Sequence, residues 1–585
     1  VYETDHTTTE WYANEQSHVA RSIRNAYTKV NADGSVTYQT PENGGMFRTT
    51  NTDGRYWTAR AQANYTNTFG KHAIAAIAGL EFRETKYKGT NSLMLGYDEQ
   101  LQNSSTHTVD FGTLSLIRTN SDYTSYGYPS YTYVFAPYFL DGMGLVLEEL
   151  HRYASGYANL TYTYDEKYNV FASFRKDYAD VYGLNAKYRG RPLWSVGAGW
   201  NLHQEEFMKP FDWVNFLKLR VSYGVTGNIY QDATSYMTAT STGVNSYTNL
   251  PYGEVESPAN PNLKWEQSQT TNVGLDFALL DNRLQGSFDY YNKVGKDIFS
   301  NRSIDPTTGF SSMFMNTASI RNRGVELALS YDWFRSYRRE EFAWSTNLTF
   351  SFNKNVVTSV ENPATTAAQL INTPYRTGYS TSALWSYRFA GISEETGTEG
   401  ETTWYIENGA TSHTPASRSV EILEYSGQSD PKVVMGINNT FSWNGISLNI
   451  LMAYYGGHKM RALAETEMYG MPYGTIPSYF LNAWTPENQT NTPGVGRYGA
   501  DTTGPEPTYG NIAVRDADFL KIRNIVLGYD FPKRWLKPLG VNRVNLSFQI
   551  DNPKYLWVKN DVGVDPETLG IRSLTSYIFG LNINF

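Results

Sequence analysis

The sequence predicts an all-β chain, a transmembrane antiparallel β-barrel with long extracellular loops and short periplasmic turns. Three observations point there: period-two apolar stripes, the alternation of loop lengths, and a composition that is aromatic yet polar overall. The last stripe is the clearest. In Tyr577-Ile578-Phe579-Gly580-Leu581-Asn582-Ile583-Asn584-Phe585 every odd position is apolar; the even ones carry Ile578, then Gly580, Asn582 and Asn584. A period of two is a strand with one greasy and one polar face. At a sheet edge such a strand invites aggregation unless something pairs with it and covers it. In a barrel its apolar face meets lipid. The stripe alone fits a buried strand of a soluble sandwich about as well, so the other two observations decide.

Composition narrows the choice. The 585 residues include 46 Tyr and 14 Trp, with aromatics at 15%, yet mean hydropathy is -0.49. Alternating faces, aromatic girdles and long polar loops give an outer-membrane barrel this profile. No run approaches about 18 consecutive apolar residues, which excludes helical membrane spans. The net charge of -8, with no basic block to offset it, argues against nucleic-acid binding. Zero Cys removes disulfides, thiol nucleophiles and thiolate metal sites together. The chain begins at Val1 without a charged and apolar leader, the pattern of a processed chain or a fragment.

Stripe follows stripe along the chain. Tyr56 to Phe69 turns at Gly70-Lys71-His72 into Ile74, Ala76, Ala78, Leu80 and Phe82. Leu160, Tyr162 and Tyr164 turn into Tyr168, Val170, Ala172 and Phe174, and Trp194 to Leu202 follows. Leu217, Leu219, Val221, Tyr223 and Val225 stand opposite Lys218, Arg220 and Ser222. Val273 to Leu279 turns into Leu284 to Tyr290; Val325 to Tyr331 precedes Phe342 to Phe352. Val433 to Trp443 turns at Asn444-Gly445 into Ile446 to Tyr454, and Asn-Gly between alternating runs is a strong hairpin signal. Ile525 to Phe531 and Val544 to Ile550 lead to the terminal stripe. The turns near 70, 165, 282, 337 and 444 are short, and 203–215 and 532–542 are compact. Residues 88–154, 227–263, 295–321, 354–430, 457–517 and 553–573 form long polar connections. Loop length segregated by parity describes a membrane barrel, not a sandwich.

The stripes amount to about 15 strands. An odd count that starts downward implies missing strands, because bacterial single-chain barrels have even numbers. In a barrel of 22 strands, the size that holds an internal plug, residues 55–585 are strands 8–22. Residues 1–54 are then an extracellular loop region at a chain break, and the plug domain and first strands lie outside this chain.

No catalytic constellation emerges. The eight His are scattered, without an i, i+4 pair or a His-Glu-x-x-His motif. Gly-x-Ser-x-Gly, the phosphate-binding loop and the dinucleotide fingerprint are absent. The reading is a non-enzyme with no catalytic, metal or cofactor-binding residues and no cofactor. Charges opposite the apolar stripes are more telling, since a mid-bilayer Lys or Arg on the lipid side costs about 2–4 kcal/mol. Arg175, Lys218, Arg220, Asp276, Glu326 and Arg523 are therefore expected to face the lumen. There they solvate the wall or a plug, and some contact solute; the substrate-binding residues themselves are not fixed by the sequence. Aromatics in the loops, Tyr123 to Tyr133 and Trp404-Tyr405, either stack on sugars, meet a lid, or pack within their loops.

An ordered set of motifs resembles the SusC/RagA family. It comprises Phe207-Met208-Lys209, Leu217 to Asn228, Asn260-Pro261-Asn262-Leu263-Lys264-Trp265-Glu266, Thr308-Gly309-Phe310, Asn316 and Asn322-Arg323-Gly324-Val325-Glu326. Asp518 to Asn524, Leu527-Gly528-Tyr529, Asp565-Pro566-Glu567 and terminal Phe585 complete it. The resemblance implies a TonB-dependent transporter of the Bacteroidetes outer membrane. It would have a 22-stranded barrel, an N-terminal plug, coupling to TonB-ExbB-ExbD and a SusD-like surface lipoprotein as lid. The run Arg175-Lys176-Asp177-Tyr178-Ala179-Asp180 departs from the family's usual Gly-Ser-rich segment.

On this resemblance the expected function is active import of an oligosaccharide or peptide through a plugged barrel in the bacterial outer membrane. The remaining N-terminal segment, membrane lipid and the lid lipoprotein would be its partners. A lidless siderophore receptor or passive porin is the alternative; a secreted β-rich adhesin or glycan-binding module is the third.

Overall fold

The structure is a computed structural model. It describes all residues except 32, 112–145, 181–189, 231–233, 245–249, 311, 362, 397, 463–482, 490–506, 561, 570–571 and 585. Two compact units are formed. The first comprises residues 1–63, 79–156 and 177–181, the second residues 64–78, 157–176 and 182–585. Among the described residues, seventeen strands carry the main antiparallel pattern, one of them the two-residue Asn103–Ser104.

In the second unit, eleven strands follow one another in an unbroken antiparallel ladder. They are Gly190–Asn201, Val214–Asn228, Glu266–Leu279, Leu284–Ser303, Ser312–Phe334, Ala343–Val360, Val433–Trp443, Ile446–Gly456, Phe519–Asp530, Arg543–Val558 and Ser576–Asn584. Within this ladder the stripes read from the sequence lie in register with one another. Leu275, Phe288, Leu327, Phe350 and Met435 form one cross-strand row, and Val273, Tyr290, Val325, Phe352 and Val433 form the next. These apolar rows stay open to the surroundings: Phe288 is 42% exposed and Leu527 47%. A sheet face this apolar and this uncovered is stable only against lipid.

The short-turn end is marked by turn chemistry and aromatics. Asn444 and Gly445 have φ of 49° and 85°, the paired positive values of a type I′ hairpin. Trp333 stacks on Trp344 at 5.0 Å, and Trp344 on Phe441 at 5.5 Å. Such rings favour the membrane–water boundary, where an apolar body and a polar edge are both satisfied. Beside this end, Glu205 accepts hydrogen bonds from the Tyr168 hydroxyl (2.6 Å), the Lys167 ammonium (3.0 Å) and the Trp200 ring N–H (3.0 Å). These donors, Tyr168 foremost, hold its carboxyl down to about 2.

Two expectations need correction. Residues 1–54 are not simply loop. Tyr2–Ala13 is a strand paired with Gly45–Phe69, from Tyr2 opposite Trp57 to Ala13 opposite Met46. Both of its faces are polar, Glu3, Asp5 and Thr7 on one and Thr4, His6 and Thr8 on the other, so a hydrophobic period cannot reveal it. A helix, His18–Ala26, capped by the Ser17 side chain, completes this region. Its small core joins Ala13, Ala20, Ile23, Tyr27 and Met46 to Leu93 and Leu95. The expected long loop 295–321 is likewise mostly strand, since pairing continues to Ser303 opposite Ser312. Here Ile298-Phe299 and Met313-Phe314-Met315 are apolar in consecutive runs rather than alternately, so no period of two marks the extended strands.

Replacing Leu327 by Arg, in the middle of the apolar face, is expected to cost about 2–4 kcal/mol in reversible unfolding from lipid. Arg at Ala328, on the opposite face, should cost much less. Equal penalties at the two positions would contradict the face assignment.

Candidate functional site: the polar face and the folded loops

The face opposite the apolar rows carries a charged ladder built by strand register. Arg220, Gly274, Asp289, Glu326 and Ser351 fall in one row across five strands, with Lys218 and Asp276 in the adjoining row. The Arg220 guanidinium grips Asp276 with Nε–Oδ2 at 2.7 Å and Nη2–Oδ1 at 2.8 Å, and reaches Asp289 Oδ1 at 3.2 Å. Gly274 leaves the room for this: a Cβ there would lie 2.5 Å from Asp289 Oδ1 and 2.7 Å from Arg220 Nη2. Arg220 is 37% exposed, so the pair contributes at most about 1 kcal/mol. Its importance is positional: it fixes a cation among carboxylates on this face, groups with the chemistry to hydrogen-bond hydroxyls, amides or charges.

Of the six residues singled out from the sequence, Lys218, Arg220, Asp276 and Glu326 come together here. Arg175 lies elsewhere, its guanidinium carbon 5.7 Å from the Tyr157 ring centre. Arg523 belongs to a second cluster. The β-bulge between Ile522 and Asn524 sets it beside Lys521, and the two cations share Glu567 at 2.5 and 2.8 Å. Lys521 is 1% exposed, and its ammonium also lies 4.9 Å from the Tyr555 ring. Tyr555 in turn donates to Asp565 at 2.7 Å. Sequence reasoning passed over Asp289, although its parity with Ser287 and Tyr291 was a usable signal. Lys521 and Glu567 were visible as motif members, but not as partners.

Several motif residues are clasps at the long-loop end. Asn316 Nδ2 donates to the carbonyls of Lys264 (2.8 Å) and Asp297 (2.6 Å), and its Oδ1 accepts the Lys264 N–H. Asn260 donates to the Phe314 carbonyl at 3.0 Å, and Leu263 and Trp265 are buried. Asp518 accepts the backbone N–H groups of Gly457 and His458. Each clasp ties a loop to a strand end.

The loops fold into a body of their own. Between residues 361 and 430, Ala367, Leu370, Trp385, Tyr387, Trp404, Ile422 and Leu423 pack into a core. A short helix, Ala367–Asn372, starts from a Thr366–Gln369 capping box. Residues after Gly456 join this core: Tyr387 bridges to Gly510, and the Asn511 side chain accepts the Phe389 N–H at 3.1 Å. At its centre lies Arg461, which donates to the carbonyls of Trp385 (2.6 Å) and Thr508 (3.0 Å). Asn355 anchors the body to its strand by accepting from the Thr381 N–H at 2.8 Å. Trp404 is fully buried, whereas Tyr405 and Tyr425 are exposed; only the latter two can touch a visitor. Tyr123 to Tyr133 lie outside the described residues.

A lipid-facing strand ladder with a charged opposite face and folded loops at one end defines an outer-membrane transporter or receptor barrel. The chain belongs to the TonB-dependent receptor-like β-barrel family, whose profile matches residues 2–418; proteins of this kind reside in the outer membrane. TonB-dependent receptor P39 of Formosa agariphila is 26% identical, covering 89% of this chain and 52% of the relative. SusC of Bacteroides thetaiotaomicron is 24% identical, covering 74% of this chain and 43% of its own length. A structure of the RagAB peptide transporter superposes over 100% of this chain and 59% of that one, with a TM-score of 0.73 and 21% identity. The SusC/RagA resemblance is thus met in both sequence and fold. The chain spans about half the length of the curated relatives it matches.

Arg461→Met is expected to loosen the loop body by roughly 1–3 kcal/mol, because it leaves the part-buried carbonyls of Trp385 and Thr508 without this donor. Limited proteolysis should then cut between 361 and 430 faster than in the parent while the strands stay protected. Unchanged cleavage would show that Arg461 does not hold the body together.

Proposed function

We propose that this chain supplies most of the barrel wall of an energy-coupled importer of oligosaccharides or peptides, lidded by a SusD-like lipoprotein. The observation that carries the reading is the loop body around Trp385, Trp404 and Arg461. A bare pore mouth needs no cored extracellular structure, and loops of this length are usually functional. RagAB, which shares the fold, is described as a peptide transporter, which supports the peptide arm. On this reading residues in 88–154, 227–263, 392–430 and 457–517 carry most of the lid contact. The charged row from Arg220 to Glu326, with Arg175 and Arg523, faces the lumen.

The rest of the machine is what the family resemblance implies. A lumen of about 22 strands leaks unless plugged, and the outer membrane offers no ATP, so opening needs energy from elsewhere; the family resemblance makes TonB-ExbB-ExbD its source. A further N-terminal segment of the same transporter would carry the plug and the remaining strands. Residues 59–69 and nearly all of Ser576–Asn584 are exposed on both faces, which suits strands awaiting a neighbour.

Uptake of labelled oligosaccharide and peptide mixtures by cells carrying the full-length transporter tests this. Accumulation of one class should cease when the inner-membrane proton gradient is dissipated, and a surface lipoprotein should co-purify with the transporter. Uptake that persists without the gradient would make the barrel a passive pore. Energised uptake with no lipoprotein bound would make it a simple receptor.

A further inference from the structure

The outward face changes character in one step above the row Val273, Tyr290, Val325, Phe352 and Val433. The next row is Thr271, Asn292, Arg323 and Lys354, and the one beyond it is Gln269, Val294, Arg321 and Val356. Lys296 follows, opposite Gln267. Two residues along a strand rise about 7 Å, so the cations begin one such step above the lipid-facing rings. Arg323 and Lys354 are direct cross-strand partners, with Cβ atoms about 5 Å apart. Like charges placed so are mutually destabilising.

Among the described residues of these strands, no carboxylate pairs with them. The carboxylates of the four strands from Glu266–Leu279 to Ala343–Val360 are Glu266, Asp276, Asp289, Asp297, Glu326 and Asp332. Asp276, Asp289 and Glu326 stand on the opposite face. Asp297 is held by Arg191 and Lys264, Glu266 accepts the Phe299 N–H, and Asp332 pairs with Arg335 at the turn end. Among the described residues, Arg323 bonds only to the Asn292 side chain, at 3.1 Å. Arg321 carries a buried Nε without a hydrogen-bond partner among them. Arg323, Lys354 and Lys296 are exposed.

We propose that Arg321, Arg323 and Lys354, with Lys296 beside them, form a docking site on the outer wall for the phosphate groups of the outer-leaflet glycolipid. Their height fits: acyl chains cover the apolar rows, and the phosphorylated headgroup begins where those rows end. Arginine forks suit phosphate oxygens, and a bound phosphate turns the Arg323–Lys354 repulsion into a shared attraction. The proposal rests on the outer-membrane placement with the long loops outward; it does not depend on which solute is imported.

The test uses the full-length transporter in detergent, titrated with purified lipid A and with the same lipid stripped of phosphate. Bound lipid is counted by native mass spectrometry. The Arg323→Gln/Lys354→Gln variant should bind lipid A about tenfold or more weakly, since each cation near an anionic surface contributes roughly 1 kcal/mol. Lys533→Gln/Lys537→Gln, which removes the same charge at the turn end, should bind like the parent. The parent should bind dephosphorylated lipid as weakly as the Arg323/Lys354 variant binds lipid A. Heat-modifiable migration checks folding; if the variant fails it, the phosphate comparison on the parent decides alone. Equal affinity of parent and folded variant, or of the two lipids for the parent, would overturn the site.

Discussion

Backbone hydrogen bonding in a medium without water is the constraint on which this structure depends. Each N–H and C=O left unpaired in hydrocarbon costs several kcal/mol, so a membrane wall of extended chain must pair every strand with a neighbour. The ladder from Gly190–Asn201 to Ser576–Asn584 satisfies that demand strand by strand. Once the register is set, period two does the rest. Leu275, Phe288 and Leu327 share one face because Gly274, Asp289 and Glu326 share the other.

Charge and packing are then distributed around that ladder. Carboxylates and guanidinium groups gather on the face away from lipid, where Arg220 reaches Asp276 and Asp289. In the second unit the larger apolar cluster sits off the sheet, in the loop body around Trp385 and Trp404. The clasps at Asn316, Asp518 and Glu567 join the two regimes. Motif residues that look like a functional signature are here largely the means by which loops are tied to strand ends. A binding surface made of loops is useful only if the loops are held, and these residues hold them.

What the sequence revealed follows from where period two operates. Strands that meet lipid were legible nearly residue by residue, as in Val433–Trp443 and Ile446–Gly456 with their Asn444-Gly445 turn. Tyr2–Ala13 was not, because Thr, Glu and His occupy both of its faces and its partner is equally polar. The stretches 298–303 and 312–318 were missed for a different reason: Ile298-Phe299 and Met313-Phe314-Met315 are consecutive apolar runs, which show no period of two. Within the charged ladder, Lys218, Arg220, Asp276 and Glu326 could be placed by parity, whereas Asp289 went unremarked. Arg523 shares the odd parity of Ile525 and Leu527, and only the bulge at Ile522–Asn524, which no pattern announces, brings it to Glu567. The loop core was illegible because its contacts join residues as distant as Trp404 and Gly510, and no local period encodes them.

The central claim is that adjacent residues of these strands face opposite environments. Because the chain has no Cys, single cysteines can be placed along 325–330 of the full-length protein in lipid bilayers, with any elsewhere replaced, and each labelled with a nitroxide. The account predicts that collision with oxygen, which concentrates in the bilayer, is high at Val325, Leu327 and Leu329. Collision with a water-soluble nickel chelate should be high at Glu326, Ala328 and Ser330. A flat profile, with neighbouring positions alike toward both reagents, would contradict it.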